Sequence, residues 1–133
     1  MNTFTFAWQD KFLTGNEDVD FQHHFFLNLI NRIGCALVTT QNAEYQEAIL
    51  EELLLYAEFH FISEENIAHA LQLPLLSQHK QRHLELLAEL RLHIRQLHDQ
   101  EMGKEQFVFF LNEWFAGHTL YEDKKMFHAD RHV

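Results

Sequence analysis

The sequence predicts an all-α fold, an up-down-up-down four-helix bundle carrying an N-terminal aromatic arm. Three observations carry this. Four Gly and one Pro in 133 residues leave few turn or strand punctuators. Apolar residues recur at three- and four-residue intervals over four long stretches. The breaks between those stretches are short, which makes consecutive helices antiparallel neighbours.

Residues 1–17 read as the arm, with Phe4, Phe6, Trp8 and Phe12 as packing rings and Gly15-Asn16 as a turn. The first helix starts near Asp18, where acidic residues suit the helix dipole, and carries His23, Phe26, Leu27, Ile30, Ile33 and Leu37 inward. Thr39-Thr40-Gln41-Asn42 is a loop. The second helix covers residues 43–71, roughly 40 Å at 1.5 Å per residue. Its inner stripe is Ile49, Leu53, Tyr56, Ala57, His60, Glu64, Ile67 and Leu71, and Leu73-Pro74 ends it. The third helix covers residues 75–100, with His79, His83, Leu86, Leu90 and Ile94 on its apolar side. After a break at Met102-Gly103 the fourth runs from Lys104 past His118, with Phe107, Leu111, Trp114, Phe115 and His118 inward. The bundle spans residues 18–127 and residues 128–133 form a frayed tail, all within one domain of ordinary size.

Composition narrows the function. A net charge of -10 argues against nucleic acid and against anionic membrane as partners. No apolar run reaches a membrane span, and no signal peptide is visible at Met1-Asn2-Thr3-Phe4. The single cysteine, Cys35, reads as a small buried hydrophobe in a reducing, cytoplasmic setting. Eleven histidines are the unusual feature.

Placed on the bundle, five of those histidines converge. His23 is early in the first helix, His79 and His83 are early in the third, His60 is late in the second and His118 is late in the fourth. In up-down topology all of these positions lie at one end. Glu64 follows His60 by four residues and therefore shares its side. Buried imidazoles without partners are unfavourable, and metal ions use their lone pairs. One tetrahedral zinc does not accommodate five imidazoles, and a sulfur-ligated zinc site is excluded by the lone cysteine. Five nitrogens with one or two carboxylates suit two bridged first-row ions. An imidazole-rich donor set favours Fe(II) and reversible dioxygen binding over strong oxidants. His24, His69, His93, His98, His128 and His132 lack the pattern and read as surface residues, with His24 close enough to serve as a supporting donor. Glu65 and Glu122 read as solvated.

Four ordered motifs, Asp20-Phe21-Gln22-His23, His60-Phe61-Ile62-Ser63-Glu64-Glu65, His79-Lys80-Gln81-Arg82-His83 and Trp114-Phe115-Ala116-Gly117-His118 with Asp123, resemble the hemerythrin family. Phe6-Ala7-Trp8 is similar to that family's arm, and the length matches its single-domain bacterial members. The resemblance implies two non-heme iron ions with an oxo or hydroxo bridge. His79, His83 and His118 would hold one iron and His23 and His60 the other, with Glu64 and Asp123 bridging them. The iron with fewer ligands would face dioxygen in a pocket walled by Phe61, Trp114, Phe115 and Thr119. Asp123 sits five residues after His118, about 140° out of line on an ideal helix, where Glu122 would align better. A π-bulge or a loosened helix end would bring Asp123 round. Family members usually carry an aliphatic residue at Thr119, so its hydroxyl predicts faster autoxidation here. The expected function is reversible dioxygen binding for carriage, storage or delivery, not enzymatic. The alternatives are an oxygen or redox sensor acting through a separate partner, and a di-iron enzyme consuming peroxide or nitric oxide.

Overall fold

The computed structural model describes residues 6–129, with the side chains of His118 and Ala129 left outside the description. Phe4 and His132 also lie outside the described residues. Every regular element is helical. A 3₁₀ turn, Asp10–Phe12, precedes α1 (Glu17–Thr39), α2 (Ala43–Ala70) and α3 (Leu76–His98). The fourth rod has three parts: α4 (Lys104–Asn112), a π-helical stretch (Glu113–Leu120) and α5 (Tyr121–Ala129). α1 packs on α2, α2 on α3, α3 on α4 and α4 back on α1, which closes the predicted bundle.

The starts of α1, α2 and α4 each have a local cause. The Asn16 side chain accepts from Val19 N (3.0 Å) and the Asn42 side chain from Tyr45 N (3.0 Å), satisfying amides that have no carbonyl inside the helix. At α4 the Gln106 side chain reaches back to Gly103 N (2.9 Å). The helix ends differ from expectation. α2 stops before Leu73-Pro74, in a turn where Gln72 takes φ 55° and Leu73 N donates to Ala68 O. α3 ends in the same way, with Gln100 at φ 60° and Glu101 N donating to Gln96 O. Leu71, placed inward by periodicity, is exposed because it already belongs to this turn. The C-terminal helix continues through Ala129, so His128 is helical rather than part of a frayed tail. Cys35 is half-buried, not buried.

The main core is apolar and runs from Phe26 through Ile30, Leu37, Leu53, Leu90 and Leu111. A smaller cluster, Val19, Ala68, Leu73, Met126 and Phe127, closes the other end. Where α1 and α4 approach most closely, a Cβ on Gly34 would lie 3.4 Å from Val108. The arm is fastened by polar pairs. Asn31 accepts from Phe6 N and donates to Phe6 O, both at 2.7 Å. The Asp20 carboxylate accepts from Thr14 N, the Thr14 hydroxyl and Gly15 N. Phe6, Trp8 and Phe12 then pack against one another and the core. Among the described residues no helix is long and apolar enough to cross a membrane.

Candidate metal centre

Between the two apolar clusters lies a layer of buried polar side chains. On α1, buried Val19 and Phe26 bracket His23. On α2, Phe61 and Ala68 bracket Glu64; in the fourth rod, Leu120 and Met126 bracket Asp123. His60, His79 and His83 complete the layer, all buried. Helical register produces this. His60 and Glu64, and His79 and His83, are each four residues apart on one helix face.

The two carboxylates divide their oxygens between two pairs of imidazoles. Asp123 Oδ2 lies 2.7 Å from His23 Nε2 and 3.7 Å from His60 Nε2. Its Oδ1 lies 2.7 Å from His79 Nε2 and 3.9 Å from His83 Nε2. Glu64 does likewise: Oε2 is 3.5 Å from His23 and 3.2 Å from His60, and Oε1 is 2.7 Å from His79 and 3.2 Å from His83. The donors therefore form two overlapping groups, His23–His60–Glu64–Asp123 and Glu64–His79–His83–Asp123. Within each group the ligand atoms lie within 4.8 Å of one another, and the groups share both carboxylates. His118 stands in the π-helical stretch, but its side chain lies outside the described ones.

Asp123 reaches the layer and Glu122 does not. Glu122 instead accepts from Arg82 Nε through both carboxylate oxygens (2.8 and 2.9 Å). The π-helical stretch, with its i→i+5 pattern, contains His118 and ends three residues before Asp123. Thr119 marks the wide turn: its hydroxyl donates to the carbonyl of Trp114, five residues back (3.0 Å). That hydroxyl is buried with its proton already given to an acceptor.

Two supports were not visible in the motifs. His60 Nδ1 donates to Gln22 Oε1 (2.8 Å), and Gln22 Nε2 donates in turn to Ser63 Oγ (2.8 Å). His83 Nδ1 donates to Glu65 Oε2 (2.7 Å), so Glu65 is not simply solvated. Each bond fixes the tautomer and leaves the Nε2 lone pair facing the carboxylates. Polar residues adjacent to His23 and Glu64 in sequence were the available signal. His24 is exposed, its ring stacked on Trp8 at 3.6 Å, as a surface position.

Aromatic rings wall the layer. Phe61 stacks on His83 (4.1 Å between centroids) and Phe115 stands edge-on to His23 (6.2 Å). Trp114 is buried and donates its indole N–H to Leu86 O (3.0 Å). Phe26, placed inward by its spacing but not among the predicted pocket residues, lies edge-on to His60 (5.4 Å) and 5.0 Å from Phe115. A surface depression of about 970 Å³ lies at the far end around Leu50, Leu54, Ile94 and Met102. It includes none of these residues.

Electrostatics follow from enclosure. Burial opposes charge on His23, His79 and His83, but hydrogen bonds to Asp123 and Glu64 outweigh it. They hold these rings protonated up to about 9, 9 and 10. Burial and proximity to Asp123 push the Glu64 carboxyl up, yet the neighbouring His23 and His60 rings bring it down to about 2. Burial also acts upward on Asp123; the neighbouring Glu64 and the His23, His60 and His79 rings hold it well below the usual range. Without metal, protons on the rings balance the carboxylates. Even so, His60 Nε2, His83 Nε2, His23 Nδ1 and Glu64 Oε2 are buried without a hydrogen-bond partner. Buried donor atoms left unsatisfied around shared carboxylates are what a pair of cations would use. The donor set fits the metal group that the motifs imply.

A helical bundle with such a layer belongs to the proteins that build metal sites in a bundle core. No family model matches the chain. Curated relatives do. A bacteriohemerythrin of Clostridium acetobutylicum is 27% identical over 128 residues, covering 90% of this chain and 97% of the relative. One from Ralstonia nicotianae is 29% identical over 120 residues (90% and 84%), and one from Pseudomonas aeruginosa 27% over 129 residues (95% and 82%). With the bundle and the buried imidazole–carboxylate cluster, these similarities support the hemerythrin family. That family implies non-heme iron, and the buried cluster is able to bind metal.

Proposed function

We propose that this protein binds dioxygen reversibly at a di-iron centre, as a carrier, store or delivery protein. His23 and His60 would hold one iron; His79, His83 and His118 would hold the other. Glu64 and Asp123 would bridge them, with an oxo or hydroxo group as a further bridge. When bound, a ferrous pair supplies two electrons and an open coordination position to dioxygen. The observation that carries this reading is the division of oxygens: each carboxylate offers one oxygen to His23 and His60 and the other to His79 and His83.

The chain's own residues then have separable roles. Gln22 and Glu65 hold His60 and His83 with their Nε2 lone pairs turned inward. Phe61, Trp114 and Phe115, all buried, exclude water from the layer. With His118 as a third imidazole on the other iron, the His23–His60 side would be the open one for the ligand, next to Phe115. Thr119 is the one hydroxyl-bearing wall residue, and its bond to Trp114 O limits what it offers. The decay of the coloured form in wild type and in Thr119→Ile measures its effect. An equal decay rate removes Thr119 from the autoxidation pathway.

The anaerobic ferrous protein should be nearly colourless, turn pink-violet in air and bleach on degassing. Irreversible oxidation with turnover of peroxide or nitric oxide would overturn the carrier reading in favour of an enzyme.

A further inference from the structure

Two adjacent carboxylates stand where the fourth rod reaches the layer, and the second of them enters it. Ordinary α-helical winding from buried Phe115 favours the first: Glu122, seven residues on, is about 20° out of line and Asp123 about 80°. Yet Asp123 is 1% exposed within the layer, while the Glu122 side chain is 25% exposed on its flank. The wide turn at Glu113–Leu120 makes the difference, because it accommodates its extra residue ahead of both carboxylates. The same residue could be accommodated after them. A wide turn beyond Glu122 would bring Glu122 inward, rotate Asp123 away and leave Met126 and Phe127 in their apolar cluster. Burial of Met126 and Phe127 therefore does not choose between the two arrangements. Neither does Tyr121, which is 66% exposed.

Arg82 does choose. It stands on α3 between His79 and His83, and its Nε donates to both oxygens of Glu122 (2.8 and 2.9 Å). Glu122 has no other partner among the described residues. The guanidinium is itself held in place: Nη1 donates to Glu85 (3.1 Å), with Glu89 at 3.7 Å. The Arg82 and Glu122 side chains are 24% and 25% exposed, so this two-oxygen pair is better shielded than a fully hydrated surface pair. Turning Glu122 inward would break it. We infer that Arg82 is a positioning residue. By holding Glu122 outside, it pins the wide turn ahead of Tyr121 and commits Asp123 to the centre. This rests on the shared-carboxylate reading of that centre, where the identity of the inward carboxylate matters. Without Arg82 the two arrangements approach one another in energy. A chain in the wrong one is not ready for metal, and apparent affinity falls with the fraction that is ready.

Arg82→Gln and Glu122→Gln, made singly and together in the full-length chain, test this. The first readout is amide exchange across residues 119–125 of the metal-free protein. In Arg82→Gln the freed Glu122 should speed exchange there by about threefold to tenfold, with α1 and α2 unaffected. Ferrous affinity, from anaerobic chelator competition, should fall by about the same threefold to tenfold. Glu122→Gln breaks the ion pair but also removes the competing carboxylate, so both readouts should stay within about twofold of wild type. For the same reason the double variant Arg82→Gln/Glu122→Gln should recover both. Glu85→Gln, which removes a second partner of Arg82, should also stay within about twofold. A pair that merely ties α5 to α3 gives a different pattern: Glu122→Gln would be as damaging as Arg82→Gln, and the double variant would not recover. That pattern, or an Arg82→Gln chain indistinguishable from wild type, would overturn the inference. The exchange readout needs no iron. A wild type that takes up no iron yet shows the expected exchange pattern would sink the di-iron reading and still support the pinning of the turn.

Discussion

Along α2, residues 49–57 and residues 60–68 share one helix and one inward face, yet the two halves meet opposite surroundings. Ile49, Leu53 and Ala57 meet an apolar interior, where burial stabilises whatever the solution conditions. His60 and Glu64 meet three more imidazoles and a second carboxylate. That half is stable only while protons or cations balance the carboxylates, since a buried unpaired charge is strongly unfavourable. The apolar half can therefore hold the bundle together while the polar half changes its charge partners. Fold stability and metal affinity should be separable by mutation, and the following experiments test how cleanly.

The largest effect is expected from Asp123→Asn. Asp123 belongs to both donor groups, so bound iron per chain, measured by elemental analysis, should fall from about two towards zero. Full iron content in this variant would exclude the shared-carboxylate arrangement. Next comes pH in the metal-free protein. His23, His79 and His83 have raised proton affinities, so their contribution is complete below the ordinary 6.5 and is lost as pH rises through about 9 to 10. Glu64 and Asp123 are lowered, so theirs is complete above the ordinary 4.5 and 3.8 and is lost on strong acidification, as pH falls through about 2 for Glu64. Urea midpoints should be highest between about pH 4.5 and 6.5 and decline on the alkaline side. Iron should abolish the alkaline decline by replacing the protons, and loading near pH 7 should release acid. A flat alkaline limb without metal would contradict the charge balance drawn here.

Leu53→Ala, in the apolar half, should cost about 2–5 kcal/mol in urea unfolding and leave iron content unchanged. Loss of iron there would show that the halves are coupled. The smallest effect is expected from Glu65→Gln, which keeps a hydrogen-bond acceptor for His83 but removes its charge. Iron affinity by chelator competition should drop by about tenfold to a hundredfold, with little change in folding.

Much of this molecule was legible in the sequence, for reasons that can be traced residue by residue. The 3.6-residue period placed Phe26, Leu53 and Leu90 in the core, and the four-residue spacings turned His60 with Glu64, and His79 with His83, to one side. Gln22 and Glu65 were missed because they support their partners from the flank of the inward stripe, where polarity alone predicts solvent. Glu122 was misjudged for the same reason, being held by Arg82 from another helix. The helix ends were misplaced because Gln72 and Gln100 adopt left-handed backbone, a conformation usually signalled by glycine. The awkward offset of Asp123 was visible, but spacing could not choose between a bulge and a frayed end.

The π-helical stretch gives the fourth rod one place where its length can change. Its wide turns hold about one residue more than α-helical winding through the same rotation, so removing one residue from 113–117 would restore an ordinary α-helix and leave the rod beyond it facing the same way. Asp123, Met126 and Phe127 would keep their inward places. A residue removed from α5 ahead of Met126 has no wide turn to compensate it and would rotate everything beyond by about 100°. The stretch therefore acts as slack in the chain, taking up a residue that the regular helix on either side cannot.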